Sequence, residues 1–458
     1  MPDRVARLEA ENGAKERTGT TGTRAAGRIG TAVDGAAERI EAATPAGRDR
    51  GMDALRALAI LGVVTGHWLV TAWAHAPGGR VRLSSPLAHL PALTPASWVL
   101  QTLAIFFFVG GYAAARSLRR PAGRPGRSAG PDRPGPSGRP GRSRRSGRPD
   151  HSGHSGHSGH SGQSSQSSHS GHSGHSGARM RRLLGPAVPL LLVWAGIAAG
   201  MALRGTPVET IRAMALPAVG PLWFLAVFAA LTATAPLLLR VHPVVTAVAA
   251  FAAVLGTDLV RFGIGGPAWV GWANLVAAWL VPYALGIALA GGLLSSRRTA
   301  AGLLAGGTAG AVALVAGFGY PASMVGVTGA AVSNLSPPTL AATCFGLAQV
   351  GLALLVREPL ARLMSRPRVW AAVALVNLSA MTIFLWHQTA PSLIALAALR
   401  FGDVPGLLGL PAEPVWLAYR LAWLPVFAVV LALTWLPRSI PGRSTPRRPS
   451  GKSKIVKP

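Results

Sequence analysis

The sequence predicts an all-α polytopic membrane protein of about ten transmembrane helices with both termini cytoplasmic. Three observations carry that expectation. Half of the 458 residues are hydrophobic and the mean hydropathy is +0.36. Apolar runs reaching the ~20 residues that a bilayer-crossing helix needs recur along the chain. The Arg-rich segments fall on alternate connections between those runs, as cytoplasmic loops do. The net charge of +29 does not point to nucleic acid, because the basic residues flank apolar spans and form no aromatic-studded basic face. The expected partner is the lipid bilayer. A single cysteine, Cys344, excludes a disulfide framework and a cysteine-based metal cluster, and no metal cofactor is expected.

In chain order, residues 1–50 are polar and lack a signal-peptide core, and read as a disordered or loosely helical cytoplasmic tail. A transmembrane domain follows over residues 51–436. Its first helix is expected at 51–73, an external loop at 74–94 and the second helix at 95–116. Residues 117–177 collapse into Arg, Pro, Gly and Ser and then His-Ser-Gly repeats with seven histidines. Such a stretch buries too little apolar surface to offset its ordering entropy, and reads as a disordered cytoplasmic loop without a specific ligand, with weak binding of a transition metal by the seven histidines as the alternative. Further helices are expected at 183–203, 221–240, 244–260, 271–294, 301–318, 337–356, 369–396 and 414–436, with an external loop at 319–336 and a disordered basic tail at 437–458. Under this threading the outer loops hold only Arg80, Arg82, Arg204, Arg212, Arg261 and Arg400. The inner ones take the Arg-rich loop, Arg297 and Arg298, the Arg357 to Arg368 cluster and both tails, which is the positive-inside pattern. The high usage of Arg, Gly, Pro and Ala fits a GC-rich bacterial genome, hence a bacterial cytoplasmic membrane.

The first helix carries Asp53, Arg56 and His67 inside an apolar run. A charge at the centre of a spanning helix costs roughly 2.5–3.5 kcal/mol on insertion scales, so such residues face a protein interior or a water-filled cavity and mark function by default. Arg56 and His67 are eleven positions apart; at about 100° per residue they share a face to within ~20°, roughly 16 Å apart along the axis. Asp53 lies one turn before Arg56 near that face, so the helix is expected to aim all three groups into one space. His67 suits general-base work, since a neutral imidazole can take a proton from an attacking hydroxyl; the structural alternative is a histidine hydrogen-bonded to a neighbouring helix. Arg56 suits bidentate capture of an anion or, alternatively, snorkelling or pairing with Asp53. Arg116, at the inner end of the second helix, and Arg179 and Arg182, at i and i+3 before the third, add cations at the same level. Together they would form a basic mouth suited to phosphates; positive-inside anchoring explains each one singly. Gly110 and Gly111, in the run Phe106-Phe-Phe-Val-Gly-Gly-Tyr112, allow close approach of another backbone or of a thin ligand chain. Trp223 and Phe224 read as interfacial aromatics, with sugar stacking as the functional alternative. His387, near Asn377 and Ser379, and Arg420 are further intramembrane polar residues.

These residues carry a resemblance. Arg56 and His67 in an R-x10-H arrangement preceded by D-x-L-R look like the signature of the family-3 membrane acyltransferases. The FFFVGGY run resembles that family's second-helix element, Arg179-x-x-Arg182 followed by Pro186 resembles its R-x-x-R element, and Gly220-Pro-Leu-Trp-Phe-Leu and Ser379 to His387 are similar to its later landmarks. The resemblance covers about residues 50–436 apart from the 117–177 insertion. Gly110 stands where the family has a serine and Tyr112 where it has a phenylalanine, and no esterase-like domain is appended. The resemblance implies transfer of an acyl group, commonly acetyl, from cytoplasmic acyl-CoA to a hydroxyl of an extracytoplasmic acceptor, usually a glycan. It places Arg56, Arg116, Arg179 and Arg182 on the coenzyme A phosphates, the thioester along Gly110 and Gly111, and His67 as general base or acyl relay, with Arg56 and Asp53 as further catalytic candidates on the same helix. Trp223 and His387 would then meet the acceptor. Two other classes stand beside this one. In a secondary transporter the same stripe would relay protons or bind substrate, although R-x10-H occurs once and no internal repeat accompanies it. A structural or sensory protein would rest on the His-Ser-Gly tract alone.

Overall fold

The computed structural model describes Thr31, residues 34–119 and residues 184–435. Its principal helices are α1 (Arg50–Val70), α2 (Leu103–Arg119), α3 (Ala187–Leu203), α4 (Val208–Val219), α5 (Leu222–Leu238), α6 (Pro243–Asp258), α7 (Asn274–Ala290), α8 (Arg297–Gly317), α9 (Leu340–Leu363), α10 (Pro367–Leu378), α11 (Ala380–Trp386), α12 (Thr389–Ala398) and α13 (Val415–Trp435). Among the described residues nine helical stretches are long and apolar enough to cross a membrane, and α3, with 17 residues, is a shorter apolar helix. The fold is therefore an all-α polytopic membrane protein.

Glycine sets the closest helix contacts. A methyl group on Gly111 of α2 would collide with the Tyr283 carbonyl of α7, and one on Gly286 of α7 with the Phe108 carbonyl of α2. Gly307 of α8 meets the Cys344 and Ala348 backbone of α9, and Gly351 of α9 meets Ala300 and Leu304 of α8 in the same reciprocal way. Hydrocarbon offers no hydrophobic drive between helices, so close backbone packing of this kind replaces it. Meanwhile Val188, Leu191 and Leu192 of α3 and Val244, Val245 and Val248 of α6 are exposed apolar residues, as a lipid-facing surface requires.

Four departures from the expected threading matter. First, residues 34–49, read as tail, are helical over 34–42 and anchored: Arg368 pairs with Asp34 at 2.5 Å, Trp370 Nε1 donates to Thr44 Oγ1 at 2.8 Å and Ala37 is buried. Second, α1 ends at Val70, and Trp73 lies in a hairpin of β1 (Ala72–Ala76) and β2 (Arg80–Ser84), antiparallel with Ala72 opposite Ser84. Gly78 and Gly79, with φ of 76° and 69°, supply the left-handed turn between the strands. Third, the stretch before the fourth expected helix is itself helical, so α4 and α5 form one run of 31 residues interrupted at Gly220-Pro221. Fourth, the single helix expected over 369–396 is divided at Ser379 and again at His387 and Gln388. The second break frees main-chain carbonyls inside the protein, and side chains satisfy them: Trp68 Nε1 donates to the His387 carbonyl at 2.8 Å and His387 Nδ1 to that of Phe384 at 2.7 Å. Residues 120–183, with most of the loop and the Arg179 and Arg182 pair, and the tail after 435 lie outside the described residues.

Candidate active site

Asp49 starts α1. Its side chain accepts from the Met52 N–H at 3.1 Å, capping the helix, and also meets Arg357 of α9 at 2.5 Å and the Tyr112 hydroxyl of α2 at 2.7 Å. Burial alone would raise its carboxyl, but the hydrogen bonds from Arg357, Tyr112 and Met52, with the Arg357 charge, hold it below the ordinary carboxylate value. Tyr112 thus donates its hydroxyl to Asp49, whose carboxylate ties the start of α1 to α2 and α9. The cap fixes the depth at which the rest of α1 presents its side chains.

Two cavities open along α1. The one at its N-terminal end, about 230 Å³, is bordered by Arg48, Asp49, Asp53, Arg56, Tyr112 and Arg116. Asp53 pairs with Arg48 at 2.6 Å rather than with Arg56, and that hydrogen bond holds the Arg48 guanidinium above its usual value. Arg116 makes one hydrogen bond here, to the Tyr112 hydroxyl at 3.3 Å, and stacks over that ring. Arg56 has no hydrogen-bond or ion-pair partner among the described residues. With both carboxylates engaged by arginines, Arg56 and Arg116 give this cavity spare positive charge.

The second cavity, about 330 Å³, lies at the C-terminal end of α1 and is bordered by His67, Thr71, Gln101, Trp223, Phe224 and Gln388 among others. His67 packs against His387, ring centroids 5.2 Å apart and planes at 60°. Gln388 Nε2 lies 3.4 Å from His67 Nδ1 and 2.8 Å from Thr71 Oγ1, while its Oε1 is buried without a partner among the described residues. Turning that amide over places Oε1 against both groups, where it accepts from the Thr71 hydroxyl and from His67 Nδ1–H; the imidazole then keeps Nε2 as a free base. Arg420 of α13, fully buried, donates to the Trp68 and Thr71 carbonyls at 2.5 Å each and to Gly406 O at 3.0 Å, between the Trp416 and Phe427 rings. It closes off the C-terminal carbonyls of α1 around His67.

The expected site is thus partly redrawn. Asp53, Arg56 and His67 share helix α1 but not one space: Asp53 and Arg56 border the first cavity and His67 the second, and Ala59, Ile60 and Val64 of α1 between them are buried in the core. Asp53, expected on one face with Arg56 and His67, pairs instead with Arg48. The paired glycines offer no groove for a thin chain, since Phe228 covers Gly110 and the Tyr283 backbone covers Gly111. Phe224, read as interfacial, is buried against Phe106, Phe107 and Phe384, and both it and Trp223 border the second cavity. His387 is fully buried behind His67 and is absent from the cavity lining. Gln388, Thr71 and Gln101 escaped the sequence reading. Gln388 had a signal, its place directly after His387; the other two had none.

Comparison with known proteins bears on this geometry. No curated protein and no solved structure matches the chain. A model of the acyltransferase 3 family, described as an acyltransferase domain, matches residues 152–438, more than half of the chain, with α1 and α2 preceding the matched range. The chain therefore belongs to the acyltransferase 3 family and is a multi-pass membrane acyltransferase.

Proposed function

We propose that the protein is an O-acyltransferase. It moves an acyl group, acetyl first among candidates, from acyl-CoA on the cytoplasmic face to a hydroxyl of an extracytoplasmic or membrane-associated acceptor such as a glycan. The single observation that carries this reading is α1 itself: unpaired Arg56 in a basic cavity at one end, and His67 on the wall of a separate cavity roughly 16 Å further along the axis. The positive-inside pattern of the loops puts the Arg56 end in the cytoplasm.

On this reading Arg56 and Arg116 take the phosphates of the donor, with Arg179 and Arg182 as further candidates outside the described residues. To bring the thioester to His67, the acyl-bearing arm has to part the packed side chains between the first cavity, which Val109 borders, and the second, which Val63 borders. His67 Nε2 removes the acceptor hydroxyl proton as that oxygen attacks the thioester carbonyl. The acyl–oxygen bond forms, the acyl–sulfur bond breaks, and the proton passes from His67 to the departing thiolate. An acyl relay through His67 would use the same nitrogen.

The test is transfer of label from radiolabelled acetyl-CoA in inside-out vesicles bearing the native chain, His67→Ala or Arg56→Ala at matched expression. Label in a glycan, lipid or metabolite fraction that is lost with His67→Ala supports the reading; transfer that survives His67→Ala overturns it. A secondary transporter draws support from one observation, the helix break at His387 and Gln388 beside His67. It predicts substrate accumulation in the same vesicles without any labelled product.

A further inference from the structure

The two cavities differ in one respect beyond position. Of the residues bordering the first, five are charged: Arg48, Asp49, Asp53, Arg56 and Arg116. Among the described residues bordering the second there is no Asp, Glu, Lys or Arg. Its polar groups are the hydroxyls of Thr71, Ser84, Ser85, Thr328 and Ser336, the amides of Gln101 and Gln388, the Trp223 indole and the His67 imidazole. The remainder is largely aliphatic and aromatic, from Val63 and Leu103 on one side to Leu216 and Trp223 on another. Gln349 Nε2 donates to the Gln101 main-chain carbonyl and, at 3.3 Å, to Gln101 Oε1. That leaves the Gln101 amide N–H groups without a partner among the described residues, ready to donate to a neutral oxygen.

A charged group entering such walls surrenders its hydration and gains no counter-charge, whereas a hydroxyl exchanges water for an amide or imidazole at little loss. Pockets of 300 Å³ and more lined mainly by apolar side chains, with a few polar groups fixing orientation, are the usual form of a small-molecule site. From this we infer that the acyl acceptor is an uncharged hydroxyl compound with an apolar body, of the kind represented by a neutral sugar on a hydrocarbon aglycone. The inference rests on the acyl-transfer reading and adds the acceptor's chemical class to it.

A matched pair of probes tests it. Hexyl β-glucuronide and its primary amide carry the same ring hydroxyls and hexyl chain and differ at one group, a carboxylate in the first and a neutral amide in the second. Each is offered with radiolabelled acetyl-CoA to the full chain in detergent, where both faces are open to added probe, and the labelled product of the membranes' own acceptor, formed in vesicles, is run on an anion exchanger in parallel. The expected result is at least tenfold higher kcat/KM for the amide, an endogenous product that is not retained, and a narrowed gap in Thr328→Lys, which puts a cation on an exposed residue of the cavity border. Equal or better use of the carboxylate, or a retained endogenous product, overturns the inference while acyl transfer stands. No labelled product from any acceptor overturns the acyl-transfer reading and the inference with it.

Discussion

His67 of α1 and His387 lie ring against ring, centroids 5.2 Å apart, and the second is locked by its own Nδ1–H donating to the Phe384 carbonyl at 2.7 Å. His387 is fully buried and does not border the second cavity, so it packs behind the His67 ring. His387→Ala leaves room for the His67 ring to turn. Misplacing a reacting group by about 1 Å can cost on the order of 100-fold in rate, so His387→Ala should lower kcat by one to two orders of magnitude with little change in KM for acetyl-CoA, measured in vesicles.

Gln388 holds His67 Nδ1 and Thr71 Oγ1 together. Gln388→Leu removes the group that selects the tautomer and should reduce kcat by about tenfold, within the range that acid–base positioning contributes. Gln388→Glu keeps an acceptor opposite Nδ1 and should retain more activity than Gln388→Leu. The pair of kcat values, with KM for the donor unchanged, is the check.

Reciprocal glycines hold α2 to α7. Gly111→Ala and Gly286→Ala each drive a methyl into a backbone carbonyl, and overpacking of this kind costs typically 1–3 kcal/mol. Both should lower the thermal unfolding temperature in detergent. Gly110→Ala meets the movable ring of Phe228 and should lower it less.

Asp49 caps α1 and ties it to α9 and α2. Asn caps as well as Asp, while loss of an N-cap costs about 1 kcal/mol. Asp49→Asn should therefore destabilise only through the Arg357 pair, and Asp49→Ala by about 1 kcal/mol more, read by thermal unfolding. Because the folded carboxyl sits below its ordinary value, its contribution is complete above the unfolded pKa of ~3.9 and is lost as pH falls through the lowered folded value. Asp49→Asn should then flatten the acid side of the stability profile and leave neutral pH dependence unchanged.

What was legible beforehand follows from physics. Apolar length marks a spanning helix without reference to neighbours, which is why the spans stood out. Arg56 and His67 stood out because ionisable groups in hydrocarbon demand a cavity. Neighbour identity was illegible, because helices such as α3 and α7 are apolar on all sides and show no face. Spacing along α1 put Arg56 and His67 on one stripe, but only packing could show that Ile60 and Val64 divide it into two cavities. Asp53 met Arg48, five residues away in the turn before the helix, because the chain there is ordered rather than loose. The break at His387 left no Pro or Gly at the break itself, since side-chain hydrogen bonds from Trp68 and His387 compensate it.

The division of labour between the two ends of α1 is the central claim, and steady-state kinetics test it most directly. Acetyl-CoA and acceptor are varied independently for the native chain, Arg56→Gln and His67→Gln in inside-out vesicles. The account predicts that Arg56→Gln raises KM for acetyl-CoA at least tenfold with acceptor KM unchanged, and that His67→Gln lowers kcat by two orders of magnitude or more, the general-base range, with donor KM unchanged. A rise in acceptor KM from Arg56→Gln, or near-native kcat in His67→Gln, would contradict it.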